Sequence, residues 1–245
     1  MKGMTNDRYN LALFSYNFPH NKTQDLLLRV VLGGIRPALV LAADFVSLDI
    51  PSPTIRVKPR HVDLVHPREI CKFFNIEYIP IEHNSPRCSE LIKSHHIDIG
   101  LITGARILIK DTLESVKRGI INLHPGLLPQ IRGMDALQWA IYRGERIGVT
   151  AHLVNEKIDH GLIIKRVIIP EYKDDTLIDL SLRLEETQNN IVLEAIQMVS
   201  TYPIESFKRI QGKYPLNKKM PPELEAQLPG ILANRLLKLG LEKDE

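Results

Sequence analysis

Two kinds of hydrophobic run alternate along the chain, and together they predict alternating strands and helices. The first, NLALFSY at residues 10–16, is short and almost wholly apolar, the pattern of a strand buried on both faces. After a polar stretch at 17–23 the spacing becomes helical, so a helix is expected over 24–32, capped by Thr23 and stopped at Gly33 and Gly34. PALVLAA at 37–43 supplies a second strand, which makes the opening a strand–helix–strand unit of the parallel kind. From residue 66 the pattern resumes with helix-like REICKFFN, strand-like EYIPIEH, helix-like PRCSELIKSHH and strand-like IDIGLITG. A short helix over 111–118 and Gly119 lead into a buried strand from Ile120, and DALQWAIYRG is helical, with Trp139 expected in the core among Ala136, Leu137, Ala140 and Ile141. GVTAHLV and GLIIKRVII read as a hairpin joined by NEKIDH, and 176–199 as one long amphipathic helix that ends before Pro203. The alternation defines an α/β fold: a doubly wound, Rossmann-like, mostly parallel sheet with a β-hairpin and a short C-terminal extension. One main domain is expected over 1–203, and an extension over 204–245 that is Lys- and Pro-rich before the segment ILANRLLKLGLEK.

Composition narrows the class without naming a function. At 245 residues the chain can bury one sizeable α/β core, and its 44% hydrophobic and 25% charged residues are ordinary for a globular protein. Its 32 basic and 29 acidic residues leave a net charge of +3, too balanced to point to nucleic acid. Cys71 and Cys88 have neither metal nor redox spacing and are expected to be free thiols in a reducing compartment. No apolar run has the length of a membrane span or a signal peptide, so a cytoplasmic location is expected. The basic, Pro-rich stretch 47–67 gathers Arg56, Lys58, Arg60 and His61, either as a solvated loop or as cations reaching for phosphates.

The chemistry concentrates in IINLHPGLLPQIRG at 120–133. Residues two apart on a strand share a face, so Asn122 and His124 project side by side at its carboxyl end, where α/β sheets bind ligands. A lone Asn or His in an apolar strand is usually a satisfied core group. Here two polar groups share a face, a loop punctuated by Pro125, Gly126, Pro129 and Gly133 follows, and the hairpin lifts Asp159 over the pair. His152 alternates with apolar neighbours and reads as a strand-face residue, with substrate contact as the lesser alternative. No serine or cysteine sits in a nucleophile setting and no metal-ligand set is apparent.

INLHPGLLPQIRG followed by IGVTAHLVNEKIDHGLII resembles the folate-dependent formyltransferases, a family that includes glycinamide ribonucleotide, methionyl-tRNA and nucleotide-sugar N-formyltransferases. Its pattern of Asn-x-His-Pro, a Gly-Val-Thr strand and Asp-x-Gly is present in order, strongly over 90–200 and in layout over 10–90. The resemblance implies a formyltransferase catalytic domain at 1–203 with Asn122, His124 and Asp159 as catalytic residues. It implies 10-formyl-tetrahydrofolate as formyl donor, held by Gly104, Ala105, Arg106, Ile107 and Leu108 and by Asn155, Glu156 and Ile158. The amine substrate would meet Pro125, Gly126, Arg132 and Gly133, and no metal is required. HPGLLPQIRGMDALQWAI is most similar to the nucleotide-sugar branch. The implied acceptor is therefore the primary amine of a nucleotide-linked deoxyamino sugar in surface-glycan biosynthesis, with no nucleic-acid or membrane partner and a homodimer left open. Two departures weigh on the branch: the first strand lacks the Gly-rich phosphate loop of the purine-pathway enzymes, and the tail is short for a tRNA-binding domain. Phosphoribosylglycinamide formylation, formyl-tetrahydrofolate hydrolysis and an inactive folate-binding regulatory protein are the alternatives.

Formyl transfer from folate N10 to an amine passes through a tetrahedral species bearing an oxyanion. Donors from Asn122 and His124 would stabilise it by about 2.7–4 kcal/mol each. His124 would move the proton, and Asp159 would orient its ring and favour the charged form or relay the proton through water.

Overall fold

The computed structural model describes residues 9–47 and 63–241; the basic cluster Arg56, Lys58, Arg60 and His61 lies outside the described residues. In chain order the elements are β1 (Leu11–Tyr16), α1 (Asn21–Leu32), β2 (Leu39–Ala43), α2 (Pro67–Phe73), β3 (Tyr78–Pro80), α3 (Pro86–Ser94), β4 (Ile99–Ile102), α4 (Lys110–Ser115) and β5 (Ile120–His124). They continue with β6 (Arg132–Gly133), α5 (Ala136–Tyr142), β7 (Gly148–Val154), β8 (Gly161–Ile168), α6 (Leu177–Thr201), β9 (Lys208–Arg209), β10 (Leu216–Asn217), α7 (Pro222–Glu225) and α8 (Leu228–Leu241). Eight strands form one sheet in the order β3-β2-β1-β4-β5-β7-β8-β9, and β6 pairs with β10 separately. The pairs from β3 to β5 are parallel and those from β5 to β9 antiparallel, which is the expected doubly wound sheet with a hairpin.

Burial on both faces explains the unbroken apolar run of β1. Leu11 and Leu13 join Leu26, Leu27, Ile191 and Ile196 of α1 and α6 in one core. Ala12 and Phe14 face the other way, onto Cys88 and Ile92 of α3. No helix among the described residues is long and apolar enough to cross a membrane.

β1 has β2 on one side and β4 on the other, so the strand order reverses there, and ligands of such sheets bind beyond the carboxyl ends at that point. These ends are bolted together by polar groups. The Ser15 and Thr103 hydroxyls lie 2.7 Å apart, and Thr23 donates to the Thr103 carbonyl at 3.2 Å. Thr23 is thus spent inside the fold and does not cap α1. His20, extended at φ −147, takes that place: its Nδ1 accepts from the Thr23 N–H, and the helix starts three residues earlier than expected. The start of α6 matches expectation, with Thr176 and Asp179 forming a reciprocal capping box. The strand expected across EYIPIEH is reduced to β3, an edge position that tolerates Pro80.

Residues beyond 203 return to the main domain. β9 extends the sheet alongside β8, Leu228, Leu232 and Leu236 enter the larger core, and Arg235 grips Glu171 through two contacts of 2.6 and 2.7 Å. Trp139, expected in the core, instead sits half-buried at this seam. Its indole donates to the Lys218 carbonyl at 2.9 Å and the Arg143 guanidinium covers its ring at 4.9 Å.

Candidate active site

Asn122, His124 and Asp159 converge, two from β5 and one from the β7–β8 loop. His124 is buried at 4% exposure, and its Nε2 donates to the Ile131 carbonyl at 2.8 Å. This fixes the neutral tautomer and leaves the Nδ1 lone pair facing Asp159 Oδ1 at 3.4 Å. Burial pushes the His124 pKa below the usual 6.5, and Lys22 and Arg132 add to that effect. Asp159 and the Ile131 carbonyl pull upward without prevailing. Asp159 favours the charged form of the ring, as expected, but desolvation of a buried cation outweighs one carboxylate, so the ring rests neutral. Gly126 makes the Ile131 bond possible, since a Cβ there would lie 2.8 Å from His124 Nε2 and 3.0 Å from the Ile131 oxygen.

Asp159 has left-handed backbone, φ 47, which Asp tolerates better than most residues. Its Oδ2 accepts from the Gly133 N–H at 2.6 Å. Arg132 donates to the carbonyls of Ile158 at 2.6 Å, Asp159 at 3.2 Å and Tyr214 at 3.3 Å. Arg132 and Gly133, expected to touch the amine substrate, thus brace the loop that carries Asp159. Gly133 at φ +89 also lies against Asn217 of β10, where an added Cβ would press on its carbonyl oxygen. Gly133→Ala is expected to cost about 1–3 kcal/mol of stability and to lower turnover with it, as read by thermal melting and steady-state rates.

The cross-strand partner of Asn122 is His152, and the Asn122 amide donates to its Nε2 at 3.2 Å. His152 has no measurable exposure, and burial, helped by the His124 and Lys22 charges, lowers its pKa to about 4. It stays neutral at ordinary pH as an acceptor that orients the Asn122 carboxamide and leaves one of its N–H groups for the site. His152 is a positioning residue that the strand alternation alone did not mark.

The lowered histidine values set a sign for stability. A group whose folded pKa lies below its unfolded 6.5 contributes fully above that value and loses its contribution as pH falls toward the folded value. For His152 the window runs from 6.5 to about 4 and is worth on the order of 3 kcal/mol. The urea midpoint is expected to drop between about pH 7.5 and about pH 4.5, and less so in His152→Gln; equal drops in both proteins would contradict the assignment.

Two cavities border the end of β5. The first, of about 190 Å³, is lined by Ala105, Arg106, Ile107 and Leu108, by Asn155, Glu156 and Ile158, and by Asn122 and Asp159. The segments expected to share one ligand are thus brought together. Gly104 stands behind this wall, where a Cβ would meet the Tyr16 ring. Asn84 clamps the wall by donating to the Ile107 carbonyl at 2.8 Å and accepting from the Ile109 N–H at 3.0 Å, and Asn155 accepts from the Lys157 N–H within its own loop. The second cavity, of about 290 Å³, is lined by Lys22, Asp25, Pro125, Asp135, Gln138, Ser181, Glu185, Gln188 and Asn189 among others. Of these only Pro125 was expected. Gln188 is 6% exposed and, among the described residues, its Oε1 has no hydrogen-bond donor. Among the described residues no group of three or more His, Cys, Asp or Glu is placed to hold a metal ion.

A sheet whose carboxyl ends carry Asn-x-His-Pro on a strand and an Asp on a hairpin defines a class. Residues 49–196 match the formyl transferase family, and the chain belongs to it. It is 29% identical to the methionyl-tRNA formyltransferase of Thermosynechococcus vestitus over 143 residues, 57% of this chain and 43% of that protein, so the match spans less than half of the relative. In fold it is similar to a phosphoribosylglycinamide formyltransferase from Streptococcus pneumoniae (TM-score 0.59, 22% identity, 79% of this chain and 99% of that chain). It is also similar to a sugar N-formyltransferase from a Shewanella species (TM-score 0.57, 18% identity, 93% of this chain and 88% of that chain).

Proposed function

We propose that the protein transfers a formyl group from 10-formyl-tetrahydrofolate to the primary amine of a nucleotide-linked deoxyamino sugar. The observation that carries formyl transfer is the convergence of Asn122, His124 and Asp159 between two cavities of different character. The cavity along 105–108 and 155–158 combines the apolar side chains of Ala105, Ile107, Leu108 and Ile158 with the polar groups of Asn122, Asn155 and Asp159, suited to a flat heterocycle such as the folate pterin. The other sets the carboxylates and carboxamides of Asp25, Asp135, Gln138, Glu185 and Asn189 on an apolar floor of Leu26, Ala136, Leu137 and Leu184, and the buried Gln188 Oε1 beside it lacks a donor among the described residues. That lining suits an amino sugar better than a phosphate held at the same place.

In the proposed reaction the Asn122 N–H that His152 does not take meets the formyl oxygen as the acceptor nitrogen attacks the formyl carbon and the C=O π pair moves onto oxygen. His124 Nδ1 takes a proton from the attacking nitrogen. Asp159 stabilises the imidazolium so formed, and His124 returns the proton to N10 as the C–N10 bond breaks with its electron pair on nitrogen. His124 is the proton carrier and Asn122 the oxyanion donor, because the His124 Nε2–H is already given to Ile131. Residues 1–203 form the catalytic domain in this scheme, and 204–245 an extension whose β10 backs the Gly133 turn.

The test is release of tetrahydrofolate from 10-formyl-tetrahydrofolate with nucleotide-linked amino sugars, glycinamide ribonucleotide, methionyl-tRNA or no acceptor. Release with an amino sugar alone is expected. Release with glycinamide ribonucleotide or methionyl-tRNA would move the acceptor to another branch, and release without acceptor would make the protein a hydrolase.

A further inference from the structure

The proposed transfer leaves one proton unaccounted for. An acceptor that arrives as an ammonium loses two protons on becoming a formamide, whereas folate N10 takes up only one through His124. A second proton must reach another base, and that base must stand on the acceptor side.

Lys22 meets this requirement. It is the second residue of α1, it lines the larger cavity beside Pro125, and its Nζ donates to the Leu123 carbonyl at 2.7 Å, on the peptide that joins Leu123 to His124. The titratable groups around it are Asp25 on its own helix, Asp135 and Glu185 in the lining of the same cavity, Asp159 on the hairpin loop, and the neutral rings of His20, His124 and His152. Asp159 favours the ammonium, but burial prevails and brings Lys22 to about 8. A fraction of the molecules then carries a neutral amine at neutral pH. In that form one N–H still holds Leu123 while the lone pair is available to the cavity.

We propose that Lys22 is the base that deprotonates the incoming ammonium, a catalytic role separate from that of His124. The proposal rests on the formyl-transfer scheme above. Neutral Lys22 takes one proton from the acceptor ammonium, whose nitrogen then holds the lone pair that forms the new C–N bond. His124 takes the second proton and passes it to N10, and Lys22 returns the first to solvent.

Lys22→Arg separates this role from a tether, because arginine keeps the charge and the donor to Leu123 but does not give up its proton. With whichever acceptor turns over, Lys22→Arg is expected to lose roughly 100-fold in kcat/KM at neutral pH. The defect should shrink toward about pH 9, where the acceptor enters already deprotonated, and formyl-folate binding should stay unchanged. A near-wild-type rate, or a defect of the same size at every pH, would overturn the proposal. A second readout needs no acceptor. In protein labelled with [13Cε]lysine, the resonance that disappears in Lys22→Met should titrate well below the other lysines; titration together with them would overturn the proposal even if no acceptor tried is formylated, which separates its failure from that of the transfer scheme.

Discussion

His124→Ala is expected to lose about a thousandfold in kcat while binding of 10-formyl-tetrahydrofolate, followed by fluorescence quenching, stays close to that of the parent. The ring acts on a proton that moves only during transfer, so its loss falls on the transition state and not on the ground-state complex. The variant also leaves the Ile131 carbonyl without its buried donor, at a cost of about 1–3 kcal/mol in stability that a thermal melt would register. Turnover close to that of the parent at saturating substrates would show that His124 does not carry the proton.

Asp159→Asn is expected to lower kcat by about 10²- to 10³-fold with little change in stability. Asn tolerates the left-handed backbone at φ 47, and its side-chain oxygen can still accept from Gly133. The carboxamide nitrogen that replaces Oδ1 faces His124 Nδ1 as a donor, and the charge is removed. Without it the imidazolium formed during transfer loses its counter-ion, and the pKa values of His124 and Lys22, both raised by Asp159, fall further. Steady-state kinetics beside a urea titration separate the two effects. Unchanged kcat in a folded variant would contradict the role given to Asp159.

Much of this site was legible in the sequence because its signals are local. The apolar run of β5 broken at Asn122 and His124, two residues apart, fixes their common face, and the hairpin that presents Asp159 is marked by apolar runs on either side of NEKIDH. What was missed depends on contacts distant along the chain. His152 looks like any polar residue on a strand until the antiparallel register of β5 and β7 sets it opposite Asn122. Lys22 lies 101 residues from the carbonyl it holds. Thr23 looked like a helix cap because nothing local shows that its hydroxyl is taken by Thr103, 80 residues on. Trp139 has the spacing of a core residue, but the chain that covers it, at Lys218, returns only after residue 203. The pairing of β6 with β10 involves two residues on each side, too short to leave a pattern in the sequence, yet it backs the turn that holds Asp159.

Incubation with 10-formyl-tetrahydrofolate carrying 13C in the formyl carbon and an amino-sugar acceptor, followed by mass spectrometry of the products, should find the label in a formamide on the acceptor. In His124→Ala that product should be nearly absent. Label recovered as formate with the acceptor unchanged, or labelled formamide formed equally by both proteins, would contradict the account.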